Sequence, residues 1–282
     1  MRSFVFMVTF ICMPVFSQAQ SVIAPKVLTI ASAGEVTSIP VTGCNEQGMV
    51  GDASTPSATS ISLKINPSIA AHLSLYYGLN LFALAPRGWV CDVVQGADAS
   101  YLIAQPRFSR GLLGPTVYIE DSPHDPNGWA MIAAYGGTYF PKRIGNVLDA
   151  VKALNEQGYN TTLKQFLAPR YPEDQLKYLN NSVLAYATPP GKQGLGTIIG
   201  NGLPSDFRYD PNLSKTVSSL PTYGIVGIVG QPDVQFLNLM MIRLPANEES
   251  LYPTIESFTA HCQPFDQGKG CFSAMGFLNE ND

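Results

Sequence analysis

The placement of cysteine constrains this chain more than any other feature. Five cysteines occur in 282 residues. Cys12 lies in the opening stretch MRSFVFMVTFICMPVFSQAQ, whereas Cys44, Cys91, Cys262 and Cys271 are spread over the rest. The opening stretch has one basic residue, Arg2, then an apolar run from Phe4 to Phe16, then Ser17-Gln18-Ala19 with small residues where a signal peptidase reads. It predicts a secretory signal over residues 1–19, cleaved after Ala19. A spanning helix needs about twenty apolar residues. This run has thirteen, with Pro14 inside it. Ile11 stands before Cys12 where a lipid-anchor site needs a small residue.

With the signal removed, four cysteines in an oxidising compartment imply two disulfides. Three pairings are open. Proximity favours Cys262 with Cys271, around the loop QPFDQGKG, and then Cys44 with Cys91. Each bridge contributes roughly 2–4 kcal/mol in chain-entropy terms. A reactive thiol at Cys91 would need a neighbouring base, and LAPRGWVCDV offers only Arg87 and Asp92. No two cysteines have the spacing of a zinc site. The cysteines therefore read as staples, and no metal or cofactor is expected.

About 263 residues remain after the signal, read as a single domain over 20–282. Glycine and proline together number 47 and charged residues make up only 13%. Elements must be short, and the surface is polar through Ser, Thr, Asn and Gln. Net charge is −4, or −5 without Arg2, and no basic stripe with interleaved aromatics occurs, so nucleic acid is not expected as a partner. No later apolar run reaches spanning length, so no transmembrane segment is expected after signal removal.

Short apolar or alternating stretches bounded by turn residues predict strands at 22–31, 60–65, 79–85, 115–120 and 129–135. Another runs through the Cys91 stretch, and further strands are expected at 182–188, 223–230 and 234–245. Residues 43–59 read as a polar loop. Ile144, Val147, Leu148, Val151 and Leu154 keep the spacing of one helical face, with Gly158 at the C-cap position, so a helix is expected over 143–157. A second is expected over Pro172–Asn180 and a third within Asn247–His261, starting late or bending at Pro253. The fold class is α+β: a largely antiparallel sheet with two or three helices, stapled by disulfides.

Two loops could carry chemistry. GKQGLGTIIGNG, residues 191–202, is rich in glycine but lacks the lysine and hydroxyl placement of a phosphate loop, and no helix follows as the dinucleotide pattern demands. It reads as a tightly turned or mobile loop rimming a site. EDSPHDPNGW, residues 120–129, gathers Glu120, Asp121, His124 and Asp125. Such oxygen density can hold a hard cation, although the spacing is not that of an EF-hand, and these residue types also build ordinary turns. The candidate binding residues are thus Glu120, Asp121, His124 and Asp125 with Lys192 and Thr197, on the premise that the two loops meet. The histidines are His72, His124 and His261, and no GxSxG elbow is present, so no catalytic residue is assigned.

LAPRGWVC at 84–91, GPTVYI at 114–119, TPPGKQGLGT at 188–197 and IRLP at 242–245 occur in an order that resembles a set of uncharacterised exported bacterial proteins. These pair a P-x-G-W-x-C strand with a later TP…GLGT segment. The resemblance spans roughly residues 40–260. It implies an exported location and no activity, because the shared residues Gly88, Trp89, Cys91, Gly194, Gly196 and Thr197 are turn formers, a packing aromatic and a disulfide half.

The expectation is a secreted or periplasmic, non-catalytic binding protein with an envelope or extracellular partner. The alternative is an exported hydrolase of glycan, ester or peptide using carboxylates of the 120–129 loop. A further possibility is assembly through exposed strand edges.

Overall fold

A computed structural model describes residues 35–48, 59–79, 81–95, 99–107, 113–122, 128–140, 142, 144–158, 160, 162–197, 217–231 and 234–262. Strands β1 (Glu35–Gly43), β3 (Ser60–Ile65), β4 (Leu73–Gly78) and β5 (Leu81–Pro86) form a four-stranded sheet in the order β3-β1-β4-β5. An eight-stranded sheet holds β2 (Asn45–Gly48), β6 (Val90–Gln95), β7 (Ser100–Gln105), β8 (Thr116–Ser122), β9 (Gln175–Tyr178), β10 (Val183–Thr188), β11 (Thr222–Gln231) and β12 (Val234–Arg243). Its order is β2-β6-β7-β8-β12-β11-β10-β9. Among the described residues, only β1 with β4 and β2 with β6 pair in parallel. The helices are α1 (Pro67–Ala70), α2 (Gly128–Tyr139), α3 (Ile144–Glu156), α4 (Leu163–Phe166) and α5 (Tyr252–Cys262). The fold is α+β with largely antiparallel sheets.

The two sheets meet at Cys44. β1 pairs with β4 as far as Gly43 opposite Tyr77, Cys44 then donates its N–H to Tyr77 O at 2.8 Å, and β2 starts opposite Asp92 of β6. At this corner Cys44 is bonded to Cys91, with their Cα atoms 4.8 Å apart and 47 positions between them in sequence. The favoured pairing of these two cysteines is therefore present. Cys271 and the side chain of Cys262 lie outside the described residues.

The PRGW stretch ahead of Cys91 is a turn. Gly88 takes φ +83°, the left-handed conformation that a type II turn demands at its third position, and Trp89 N–H reaches Pro86 O at 3.4 Å. The Tyr76 hydroxyl lies 2.8 Å from Pro86 O and 3.2 Å from Trp89 O, clamping the turn from within. Burial pushes the Tyr76 phenol up to about 12, so it remains a neutral donor across the physiological range.

Alternation along the central strands buries both faces of the large sheet. Val183, Ala185 and Ala187 point into a core shared with Leu75, Phe82 and Leu84 of the small sheet and Phe258 of α5. Leu184 and Tyr186 point the other way, onto Ile132, Tyr135 and Tyr139 of α2. Phe82 and Phe258 meet edge-on with ring centroids 6.0 Å apart, a favoured aromatic geometry. On the opposite face Tyr186 reaches across its cross-strand partner Gly224 to donate to Met240 O at 2.9 Å. A Cβ at Gly224 would stand 2.0 Å from that carbonyl, so only glycine fits there.

Several sequence expectations need correction. Residues 129–135, read as a strand, lie in α2. Ile132 and Tyr135 pack on the sheet and Ala133 on α3, so apolar residues serve both sides, and a short apolar run does not distinguish the two states. Pro172–Asn180, read as a helix, is a turn followed by β9, because pairing with β10 outweighs local propensity. The expected polar loop 43–59 includes β2 and the end of β1. The sequence reading holds no strand at β1, β4 or β7. The helix over 143–157, the strands at 60–65 and 182–188, and the late start of α5 one residue before Pro253 agree with the sequence reading. The expected strand at 22–31 lies outside the described residues.

Candidate functional site

Glu120 and Asp121 belong to β8 rather than to a loop, and as consecutive strand residues they face opposite sides of the sheet. Glu120 is 1% exposed and accepts from the Tyr118 hydroxyl at 2.8 Å, on the face that α2 covers. Tyr118, Tyr135 and Tyr186 line a cavity of about 10 Å³ on that face, room for no more than one water. Burial, with the charge of Glu120 nearby, holds the Tyr118 and Tyr135 phenols well above their ordinary range. Asp121 sits opposite Asn238 of β12, on the other face. Its Oδ1 and both side-chain polar atoms of Asn238 are buried without hydrogen-bond partners. Desolvation pushes the Asp121 carboxyl up to about 6. His124 and Asp125 lie outside the described residues.

Among the described residues, the two candidate stretches leave the sheet at opposite ends, and residues 123–127 and 198–202 lie outside the described residues. β8 and β10 run in opposite directions, so Ser122 and Thr188 end their strands at opposite edges of the sheet. Thr188 is level with Thr222, and Arg243 with Thr116 at the start of β8. The rise along β8 sets the two ends about 20 Å apart. Glu120 and Asp121 therefore share no pocket with Lys192.

The glycine-rich loop is held from beneath. Asp174 accepts from the Thr188 hydroxyl at 2.6 Å and from Leu195 N–H at 2.7 Å, while Gly191 donates to Ser218 O at 2.8 Å. Arg243, fully buried, donates to Thr222 Oγ1 at 2.7 Å and to Gly196 O. Desolvation lowers the Arg243 guanidinium to about 10, which leaves it charged at neutral pH. Desolvation also raises the Asp174 carboxyl, against the two hydrogen bonds that favour its ionised form. These contacts spell out a structural role for the TP…GLGT segment. Lys192 stands at the rim, 3.7 Å from Glu173 with both side chains well exposed, a surface pair of small energetic weight. Thr197 closes the 3₁₀ turn Leu195–Thr197, and its side chain lies outside the described residues.

A cleft of about 280 Å³ opens at the same end of the molecule. One side is built where α1 runs into β4 and where β5 enters the PRGW turn, which brings His72 beside Arg87 through Arg87 N–H to His72 O at 2.8 Å. The other side is the 3₁₀ segment Ala246–Leu251 that follows β12, presenting Asn247, Glu248 and Ser250. The Arg87 Nε and Nη2 both reach Leu73 O at 3.4 Å, which fixes one edge of the guanidinium and leaves Nη1 free of that contact. Glu248 Oε2 is buried and has no hydrogen-bond partner. Desolvation raises the Glu248 carboxyl, and the charge of His72 works against that. No ion pair within 4.0 Å joins Glu248 to His72 or Arg87. The cleft thus keeps Arg87 and His72 on one side and its carboxylate on the other.

Sequence reasoning missed this site. Its two sides are more than 150 positions apart in the chain, and neither His72 nor Glu248 belongs to a recognisable motif; only the PRGW turn that carries Arg87 is legible. A scan against protein-family models finds no match to the chain, and a search of curated proteins finds none either.

Proposed function

We propose that this protein is an exported, disulfide-stapled binding protein that works in the periplasm or outside the cell, at or near the envelope, without turnover of its own. The observation that carries the binding half is the His72–Arg87–Glu248 cleft, in which a buried carboxylate oxygen lacks a partner and the Arg87 guanidinium and His72 imidazole line the other side. A concave site with a few convergent polar groups is the usual form of a small-molecule site. The Cys44–Cys91 bridge supports the export half, because such bonds persist in oxidising compartments. The hydrolase alternative draws little support from Glu120 and Asp121, which face opposite sides of a sheet and offer no carboxylate pair to one substrate.

The test is thermal unfolding of the whole protein against a panel of amino acids, dipeptides, sugars, sugar acids, polyamines and inorganic phosphate, with NMR of each compound before and after incubation. At least one compound should raise the unfolding midpoint, the rise should vanish in Arg87→Met, and every compound should be recovered unchanged. Consumption of a compound, lost on changing one carboxylate or serine, would overturn the reading. So would stabilisation that Arg87→Met leaves intact.

A further inference from the structure

The geometry points to a ligand class: we infer that the cleft takes a small zwitterion, a free amino acid or dipeptide, with its ammonium at Glu248 and its carboxylate at Arg87 and His72. This rests on the reading of the cleft as the binding site. A buried oxygen of an acid calls for a donor, and a cationic donor compensates its charge as well as its lone pair. Glu248 Oε2 finds neither within the protein. Arg87 has its Nε and one Nη committed to Leu73 O, so the remaining edge can take one carboxylate oxygen in a fixed direction. His72 stands next to it, tied through the backbone, and can add a second donor.

Size and charge then select together. A cleft of about 280 Å³ falls just under the range for drug-sized ligands, and an amino acid or dipeptide suits it. A plain anion would satisfy Arg87 and meet Glu248 as a like charge, whereas a plain amine would satisfy Glu248 and meet the Arg87 guanidinium as a like charge. Only a molecule carrying both charges, one at each end, answers both sides. Asn247 and Ser250 at the rim supply neutral hydrogen-bonding groups for what lies between.

The experiment screens the twenty free amino acids and diglycine by thermal unfolding of the whole protein. Calorimetry then compares the strongest binder with its N-acetylated and its amidated forms. Capping either charge should weaken binding by about tenfold or more, the loss that one charge-assisted hydrogen bond implies. Glu248→Gln should abolish the preference over the acetylated form and Arg87→Met the preference over the amidated form. The capped-ligand comparison uses the unaltered protein, so it decides the matter even if a variant folds poorly. Equal affinity for capped and free forms would overturn the zwitterion assignment. Stabilisation by a sugar or by phosphate alone, lost in Arg87→Met, would overturn the ligand class and leave the binding reading standing. Absence of any shift across both panels would overturn both.

Discussion

At the scale of single residues, alternation along a strand decides what a carboxylate can do. Glu120 and Asp121 are adjacent in sequence, yet one is enclosed with tyrosines under α2 and the other stands beside Asn238 on the opposite face. The acidic character of EDSP was legible; the split was not, because a strand end and a turn use the same residues. Asp121 is held in its neutral form more firmly when folded than when unfolded, so its ionisation opposes folding. That penalty is absent below about pH 4, where both states are protonated, and is complete above the folded value of about 6. Asp121→Asn should therefore leave stability nearly unchanged at pH 4 and raise it by roughly 3 kcal/mol at pH 8. Urea unfolding at the two values checks this, and an equal effect at both would show that desolvation of the charge is not the cause.

Elements with strong internal periodicity were legible, and those defined by their neighbours were not. α3 has one apolar stripe and a glycine stop, and it folds where that pattern says. α2 has no polar face because the sheet and α3 cover it, and β9 is extended because β10 is its partner. The glycine-rich loop belongs with these: its shape comes from Asp174 and Arg243, each distant in sequence from Gly194 and Gly196. Asp174→Ala removes two hydrogen bonds to a charged acceptor and leaves Leu195 N–H without its partner. Stability should fall by about 2 kcal/mol. Amide exchange at Leu195 should quicken while that in β12 changes only with global stability. Unchanged protection at Leu195 would mean that the loop is held by something other than Asp174.

For the whole molecule, the decisive feature is a corner. The chain leaves the small sheet and joins the large one at Cys44, and the bond to Cys91 fixes the two sheets to each other there. The composition announced a β-rich, stapled fold, and the spacing of cysteines favoured this pairing. The crossing between sheets was not legible, because a strand that changes partners carries no mark in its sequence. In chain-entropy terms a loop of this length contributes about 4 kcal/mol. Bonds of this kind persist in oxidising compartments, and the proposed export rests on that. The Cys44–Cys91 bond is the central claim, and one measurement addresses it. Protein recovered from an oxidising compartment is alkylated without reduction, digested, and mapped by mass at Cys44 and Cys91. Both residues should be unmodified and joined in one cross-linked pair. Alkylation at either would show a free thiol, contradict the stapled fold, and reopen Cys91 as a chemical group.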